Sequence, residues 1–120
     1  MATKIRLRRV YDPPEDADGT RVLVDRLWPR GLAKARAKID LWLKDIAPRD
    51  ALRREFGHDP ARWDWFAKTY RQELAKNPEP LERLVELCRA GAVTLLFAAH
   101  DTEHNNAVVL HGVLEKSLNK

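Results

Sequence analysis

The stretch that decides the fold reads VTLLFAAHDTEHNN over residues 93–106. Its first part, residues 93–99, is almost wholly apolar, which is typical of a strand buried on both faces of a sheet. A polar turn over residues 100–106 follows, and the amphipathic run 107–118 after it predicts a helix. Ligands of open α/β sheets gather where strands end and helices begin, so we expect a site at this turn.

Working outward from this strand, the pattern predicts three more strands and three helices upstream. Strands are expected over residues 4–10 and 39–45, and a short strand that starts at residue 21 is expected to lead into a polar segment within residues 21–28. Helices are expected over residues 50–56, 60–76 and from 78 or 79 to 90. Gly57 suits the end of the first of these helices, and Asp59 with Pro60 the start of the second. The order predicts a single α/β domain over residues 1–120, with a small, mostly parallel or mixed sheet flanked by helices.

The first strand raises a question about its charged side chains. Ile5 and Leu7 alternate with Arg6 and Arg8, which is the period of a strand. A strand buried on both faces would not carry two arginines on one of them. Either the strand is one-sided, with its arginines in solvent, or the two arginines reach acidic partners or a ligand.

Length and composition restrict the class of protein. With 120 residues, 44% hydrophobic and 33% charged, the chain fits one soluble globular domain. No apolar run approaches the roughly 18 residues of a membrane helix, so no membrane association is expected. The single cysteine, Cys88, excludes a disulfide framework, and the start lacks the apolar core of a signal peptide; both favour the cytoplasm. A net charge of +4 favours anionic partners, although acidic and basic residues are interspersed.

The turn over residues 100–106 carries more polar groups than a helix cap needs. Asp101 or Thr102 is expected to cap the last helix. His104, Asn105 and Asn106 would add donors in the first turn of that helix, where the helix dipole already favours an anion. His100 and His104 are four residues apart, but His100 precedes the helix, so we expect no metal here.

A second polar cluster, residues 25–31, follows another expected strand. Arg26 and Arg30 offer donors suited to phosphate or carboxylate, and Asp25 could orient an arginine or act as a base. An internal ion pair that only holds the loop is the alternative. Lys44, after the third strand, and His58, before a helix, extend the candidate set. If the strands are parallel, their carboxyl ends bring these groups into one cleft.

Four segments together resemble one family: residues 21–31, 42–48, 56–66 and 95–110. The chain is similar to the YeaO-like proteins of the domain-of-unknown-function 488 family over nearly its whole length. The resemblance implies a compact α/β domain in bacterial or archaeal cytoplasm, and no established activity, cofactor or substrate. Relatives often carry Arg or Lys where this chain has His100.

The leading hypothesis is a small-ligand site for an anionic, phosphate- or nucleotide-type substrate, with histidine acid/base chemistry. The catalytic candidates are His104, His58, Asp25 and Asp101, and the ligand-binding candidates are Arg26, Arg30, Lys44, His100, Asn105 and Asn106. The alternative is a nucleic-acid-binding or regulatory module that uses the basic segments 4–9 and 30–38. The sequence leaves open the cofactor, the oligomeric state and whether the protein is an enzyme.

Overall fold

The computed structural model describes residues 5–119, which form one α/β domain. Its strands are β1 (Ile5–Arg9), β2 (Thr20–Leu23), β3 (Leu41–Trp42) and β4 (Val93–Phe97). Its helices are α1 (Lys34–Ala37), α2 (Asp50–Phe56), α3 (Trp63–Lys76), α4 (Pro78–Ala90) and α5 (Asn106–Leu118). Short 3-10 turns lie at Asp16–Asp18, Lys44–Ile46 and Pro60–Arg62. Within residues 5–119, no helix has both the length and the apolar character needed to cross a membrane.

The four strands form one parallel sheet in the order β1-β4-β2-β3. Val93 of β4 pairs with Ile5 on one side and Thr20 on the other, which makes β4 an inner strand. Its position explains the apolar run, because every residue of β4 is buried. The predicted α/β class is confirmed, and the sheet is wholly parallel.

The two faces of the sheet are covered differently. Helices α2 to α5 pack on one face, around a core that includes Val22, Leu95 and Phe97. The opposite face has a smaller core in which Leu23 and Leu96 are fully buried. The connection between β2 and β3 covers this smaller core with the side chains of Trp28, Leu32 and Ile39.

The third strand is shorter than predicted. The prediction of 39–45 is wrong in extent, since β3 has only two residues and Lys44–Ile46 turns away as a 3-10 helix. Leu43 continues the apolar alternation past the last ladder pair but packs as loop, which periodicity alone does not distinguish from strand. The strand predicted to lead from residue 21 into a polar segment is β2, which ends at Leu23.

Two of the three arginines of β1, Arg6 and Arg8, reach an acidic partner. Asp18 is fully buried, and its carboxylate accepts hydrogen bonds from Arg6 (2.9 Å), Arg8 (3.2 Å) and Arg21 (2.5 Å). Burial opposes ionisation of Asp18, but the Glu15 N–H and the guanidinium groups of Arg21 and Arg8 hold its pKa below the ordinary value. The lightly covered face of the sheet is therefore tied together by ion pairs.

The ends of α2 and α3 match the residues proposed for them. Gly57 follows α2 with φ +54° and donates its N–H to Arg53 O. Asp59 accepts the Ala61 N–H at 3.0 Å and so caps the 3-10 turn that leads into α3. Between them His58 also has a positive φ of +56°, a conformation that histidine tolerates better than most residues. This sharp turn brings His58 to the carboxyl edge of the sheet.

Candidate functional site

A cavity of about 540 Å³ lies at the carboxyl edge of the sheet. It is bounded by the segments that follow β2 and β4, by the loop after β3, and by α2. Eight of the ten sequence-predicted site residues line it: Asp25, Arg26, Arg30, His58, His100, Asp101, Asn105 and Asn106. The polar turn and the cluster after β2 therefore face one cavity.

Asp25 is the carboxylate at the centre of this arrangement. Its Oδ2 accepts a hydrogen bond from the Ala98 N–H at 2.9 Å, and its Oδ1 accepts one from Nδ2 of Asn106 at 3.2 Å. Burial raises the pKa of Asp25 above its ordinary value, although these hydrogen bonds and the charges of His58 and Arg53 act in the opposite direction. Because both oxygens already have protein partners, Asp25 first of all fixes the ends of β2 and β4 relative to α5.

The last helix is capped by a residue other than the two expected. The N-cap is Asn105, which accepts the Val108 N–H at 3.0 Å, so the expectation of Asp101 or Thr102 is wrong. Asp101 instead orders the preceding turn, where it accepts the N–H groups of Glu103 (2.9 Å) and His104 (3.0 Å). The Glu103 N–H, followed by the N–H and imidazole of His104, holds the pKa of Asp101 below its ordinary value.

Arg26 holds one wall of the cavity in place. Its Nε donates to Pro48 O at 3.3 Å, and its Nη2 donates to Ala47 O at 3.2 Å. Both carbonyls belong to the loop after β3, and Pro48 also lines the cavity. Arg26 therefore uses two of its nitrogens within the protein. Arg30, at the same wall, is exposed.

Arg53 belongs to the cavity although sequence reasoning did not nominate it. It lines the cavity from α2, and its side chain is 42% exposed, with Nη2 donating to Asp50 Oδ1 at 3.4 Å. Its Nε alone is buried without a hydrogen-bond partner among residues 5–119. A buried donor without a partner is unfavourable, and such a group in a native structure calls for an explanation. A signal was present in the sequence: Arg53 precedes Phe56 by three residues, so the two share one face of a predicted helix.

The rest of the cavity wall is mostly apolar and partly aromatic. Phe56 and Phe66 stack with ring centroids 4.3 Å apart, and both rings border the cavity. Trp28 lines it from the other side, with its indole N–H donated to Leu32 O at 2.9 Å. A ligand in this cavity would therefore meet charged groups at some positions and flat apolar surface at others.

Two predicted site residues lie outside the cavity lining. His104 packs edge-on against Trp63, with ring centroids 5.2 Å apart, and its Nδ1 is 2.9 Å from Asp101 Oδ2. Lys44 is exposed, with its ammonium 5.3 Å from the centre of the Trp42 ring. Both side chains contact aromatic rings instead of the cavity. Lys44 begins a 3-10 helix and His104 lies within a turn, and the sequence pattern did not specify the direction of the chain at either place.

The charged groups of the cavity are three arginines and two aspartates, with His58 and His100 in addition. Because three arginines stand against two aspartates, the groups that line the cavity carry net positive charge. Within residues 5–119, no three His, Cys, Asp or Glu side chains are grouped so that they could hold a metal ion.

Fold and site together define a single-domain α/β protein with a basic, partly aromatic cavity at the carboxyl edge of a parallel sheet. The chain belongs to the family described as "Inactive DUF488-N3 subclade", which matches residues 4–120. It is 42% identical over 106 residues to the uncharacterized protein YeaO of Escherichia coli strain K12, covering 88% of this chain and 92% of the relative. It is 38% identical over 112 residues to the uncharacterized protein Rv3073c of Mycobacterium tuberculosis strain H37Rv, covering 93% and 94%. No solved structure matches the chain significantly.

Proposed function

We propose that the chain binds an anionic small molecule of the phosphate or nucleotide type in the cavity at the carboxyl edge of the sheet. The observation that carries the proposal is Arg53, whose buried Nε lacks a partner among residues 5–119 while its side chain lines the cavity. An anionic oxygen supplies the acceptor that this donor lacks.

The shape and composition of the cavity support the same class of ligand. A volume of about 540 Å³ falls within the usual range for small-molecule sites, which is roughly 300–1,000 Å³. The arginines and His58 suit an anionic group, and the rings of Trp28, Phe56 and Phe66 suit a flat apolar group. A nucleotide has both parts.

We assign binding, and not turnover, to this cavity. The description of the family contains the word "inactive". The acid/base hypothesis has less support than binding, because His104 lies outside the cavity with its Nδ1 beside Asp101. His58 and His100 remain at the cavity, where they can add hydrogen bonds and charge to an anion.

The proposal is tested by calorimetric titration with inorganic phosphate, adenosine monophosphate and adenosine. We expect the monophosphate to bind more tightly than either phosphate or adenosine, because its phosphate contacts the basic groups of the cavity and its base contacts the aromatic rings. Arg53→Gln should weaken its binding about tenfold or more, since a hydrogen bond to a charged group contributes roughly 1.5–3 kcal/mol. Arg54→Gln is the matched control: Arg54 adjoins Arg53 on α2 but is exposed and outside the cavity.

Two further results test whether the cavity turns its ligand over and whether it is an anion site at all. Phosphorus NMR of the protein with the monophosphate should show an unchanged ligand after prolonged incubation; steady conversion would refute binding without turnover. Absence of binding by all three compounds, or equal loss in Arg53→Gln and Arg54→Gln, would reject the cavity as an anion site.

A further inference from the structure

The segment 26–38 carries basic residues and no acidic ones. Between Asp25 and Asp40 the sequence has five Lys or Arg residues and neither Asp nor Glu: Arg26, Arg30, Lys34, Arg36 and Lys38. Helix α4, on the other side of the sheet, instead mixes three glutamates with two arginines. Positive charge is therefore concentrated on the face that this segment covers.

The segment starts at the cavity and runs across the lightly covered face of the sheet. Arg26 and Arg30 line the cavity, and Arg30 O accepts the hydroxyl of Tyr11 at 3.1 Å. Its far end is tied to the start of β2, because Arg21 Nε donates to Lys38 O at 3.1 Å. The segment thus connects the cavity with the opposite edge of the sheet.

Four of the five basic side chains of this segment are available to a ligand. Arg30, Lys34, Arg36 and Lys38 are exposed. Among the ion pairs within residues 5–119, none involves these four residues or Arg26. Arg6 and Arg8 of β1 differ, since both are paired with acids.

Aromatic rings lie beside the basic groups of the segment. The Lys34 ammonium is 5.9 Å from the centre of the Trp28 ring. Tyr11, whose hydroxyl donates to Arg30 O, has the Arg9 guanidinium 5.1 Å from its ring centre. The Tyr11 side chain is 43% exposed, and Leu27, at the cavity, is 59% exposed. Basic groups interleaved with accessible rings are typical of surfaces that bind single-stranded nucleic acid.

From this placement we infer that segment 26–38 binds the phosphate backbone of a single-stranded nucleic acid, and that one nucleotide of the strand occupies the cavity. The inference rests on the function proposed for the cavity and identifies its ligand as part of a strand. A single strand is favoured over a duplex because α1 has four residues, too few for a recognition helix in a major groove. An unstacked nucleotide can enter a pocket, whereas a paired one must first be flipped out.

Fluorescence anisotropy with labelled 12-nucleotide DNA and RNA strands of one sequence tests the inference. The informative variant is Lys34→Gln/Arg36→Gln/Lys38→Gln, and the matched control is Lys68→Gln/Arg71→Gln/Lys76→Gln on α3, which removes the same charge from exposed positions. We expect the first to weaken binding about tenfold or more at low salt and the control to change it little. The slope of log K against log salt should fall by about 2, at roughly 0.7 per lost phosphate contact.

The cavity's part is tested with Arg53→Gln and with free adenosine monophosphate. We expect Arg53→Gln to weaken strand binding, and the segment variant to bind the free nucleotide as the wild type does. Free nucleotide binding without tighter binding of either strand overturns the inference and leaves the proposed function standing. The inference is also overturned if Arg53→Gln leaves the affinity for the strands unchanged, or if a DNA duplex binds as tightly as a single strand. If neither the free nucleotide nor the strands bind, the inference and the proposed function are both overturned.

Discussion

The Nδ2 atom of Asn106 donates a hydrogen bond of 3.2 Å to Oδ1 of Asp25, a residue 81 positions earlier in the chain. The same amide donates to Val24 O at 2.9 Å. The first residue of α5 therefore holds the end of β2, and the two polar segments that the sequence singled out are joined directly. Because the bond crosses the carboxyl edge of the sheet, it fixes the floor of the cavity.

Asn106→Ala should destabilise the fold by about 1–3 kcal/mol, because Val24 O and Asp25 each lose a partly buried donor. Urea denaturation measures the change. Asn77→Ala is the control: its amide donates to Asp45 O at 3.2 Å at an exposed position, so its loss should cost under about 1 kcal/mol. Equal effects of the two substitutions would contradict the role assigned to Asn106.

Asp25 should make the protein less stable as pH rises. Its pKa in the fold lies above the ordinary 3.8, so its contribution is complete below pH 3.8 and is lost as pH rises through the raised pKa. Asp25→Asn removes this dependence, so the variant should gain stability relative to the wild type as pH rises from 3.8 through the raised pKa of Asp25. Unfolding free energies at several pH values provide the measurement; a constant difference would disprove the raised pKa.

Asp18 should show the opposite dependence. Its pKa is lowered, so its contribution is complete above the ordinary 3.8 and is lost as pH falls through the lowered value. At neutral pH, Asp18→Asn should cost roughly 3–5 kcal/mol, because Arg21, only 4% exposed, loses its buried counter-charge. The deficit should shrink in acid. Asp16→Asn, at an exposed neighbouring position, should have little effect at any pH.

Two glycines should respond to alanine in opposite ways. Gly19 has φ +63°, and a Cβ there would lie 2.2 Å from Ala92 O, so Gly19→Ala should destabilise the fold by more than about 1 kcal/mol. Gly112 lies within α5 and a Cβ there meets nothing within 4 Å, so Gly112→Ala should stabilise by roughly 0.5–1 kcal/mol. Thermal unfolding compares them, and a stabilised Gly19→Ala would refute the close approach.

Two histidines of the polar turn should separate binding from stability. His100→Ala should weaken binding of adenosine monophosphate with little change in unfolding, because His100 is exposed and lines the cavity. His104→Ala should lower stability by about 1 kcal/mol and change affinity less, because His104 contacts Asp101 and Trp63. Calorimetric titration and urea denaturation of both variants measure the two effects, and the reverse pattern would place His104 at the ligand.

Much of the fold could be predicted from sequence because its signals are local. The apolar run of β4, the Asp59–Pro60 start before α3 and the Gly57 end of α2 each depend on residues close together in the chain. The family resemblance of the sequence is confirmed by a match over residues 4–120. Polar residues after successive strands indicated one site, because parallel strands end at a common edge.

What the sequence could not supply depends on contacts between distant residues. Periodicity predicted strand over 39–45, but only Leu41 and Trp42 pair, since a ladder needs a partner strand at each position. The alternation of β1 left open whether Arg6 and Arg8 face solvent or acidic partners, and the fold decides it by placing Asp18 beside them. Arg53 was missed and His104 misplaced, because side-chain direction around a turn is decided by packing. The sequence by itself determined the elements and the edge at which they meet; the tertiary structure decided which side chains face the cavity, because that depends on hydrogen bonds such as the one from Asn106 to Asp25.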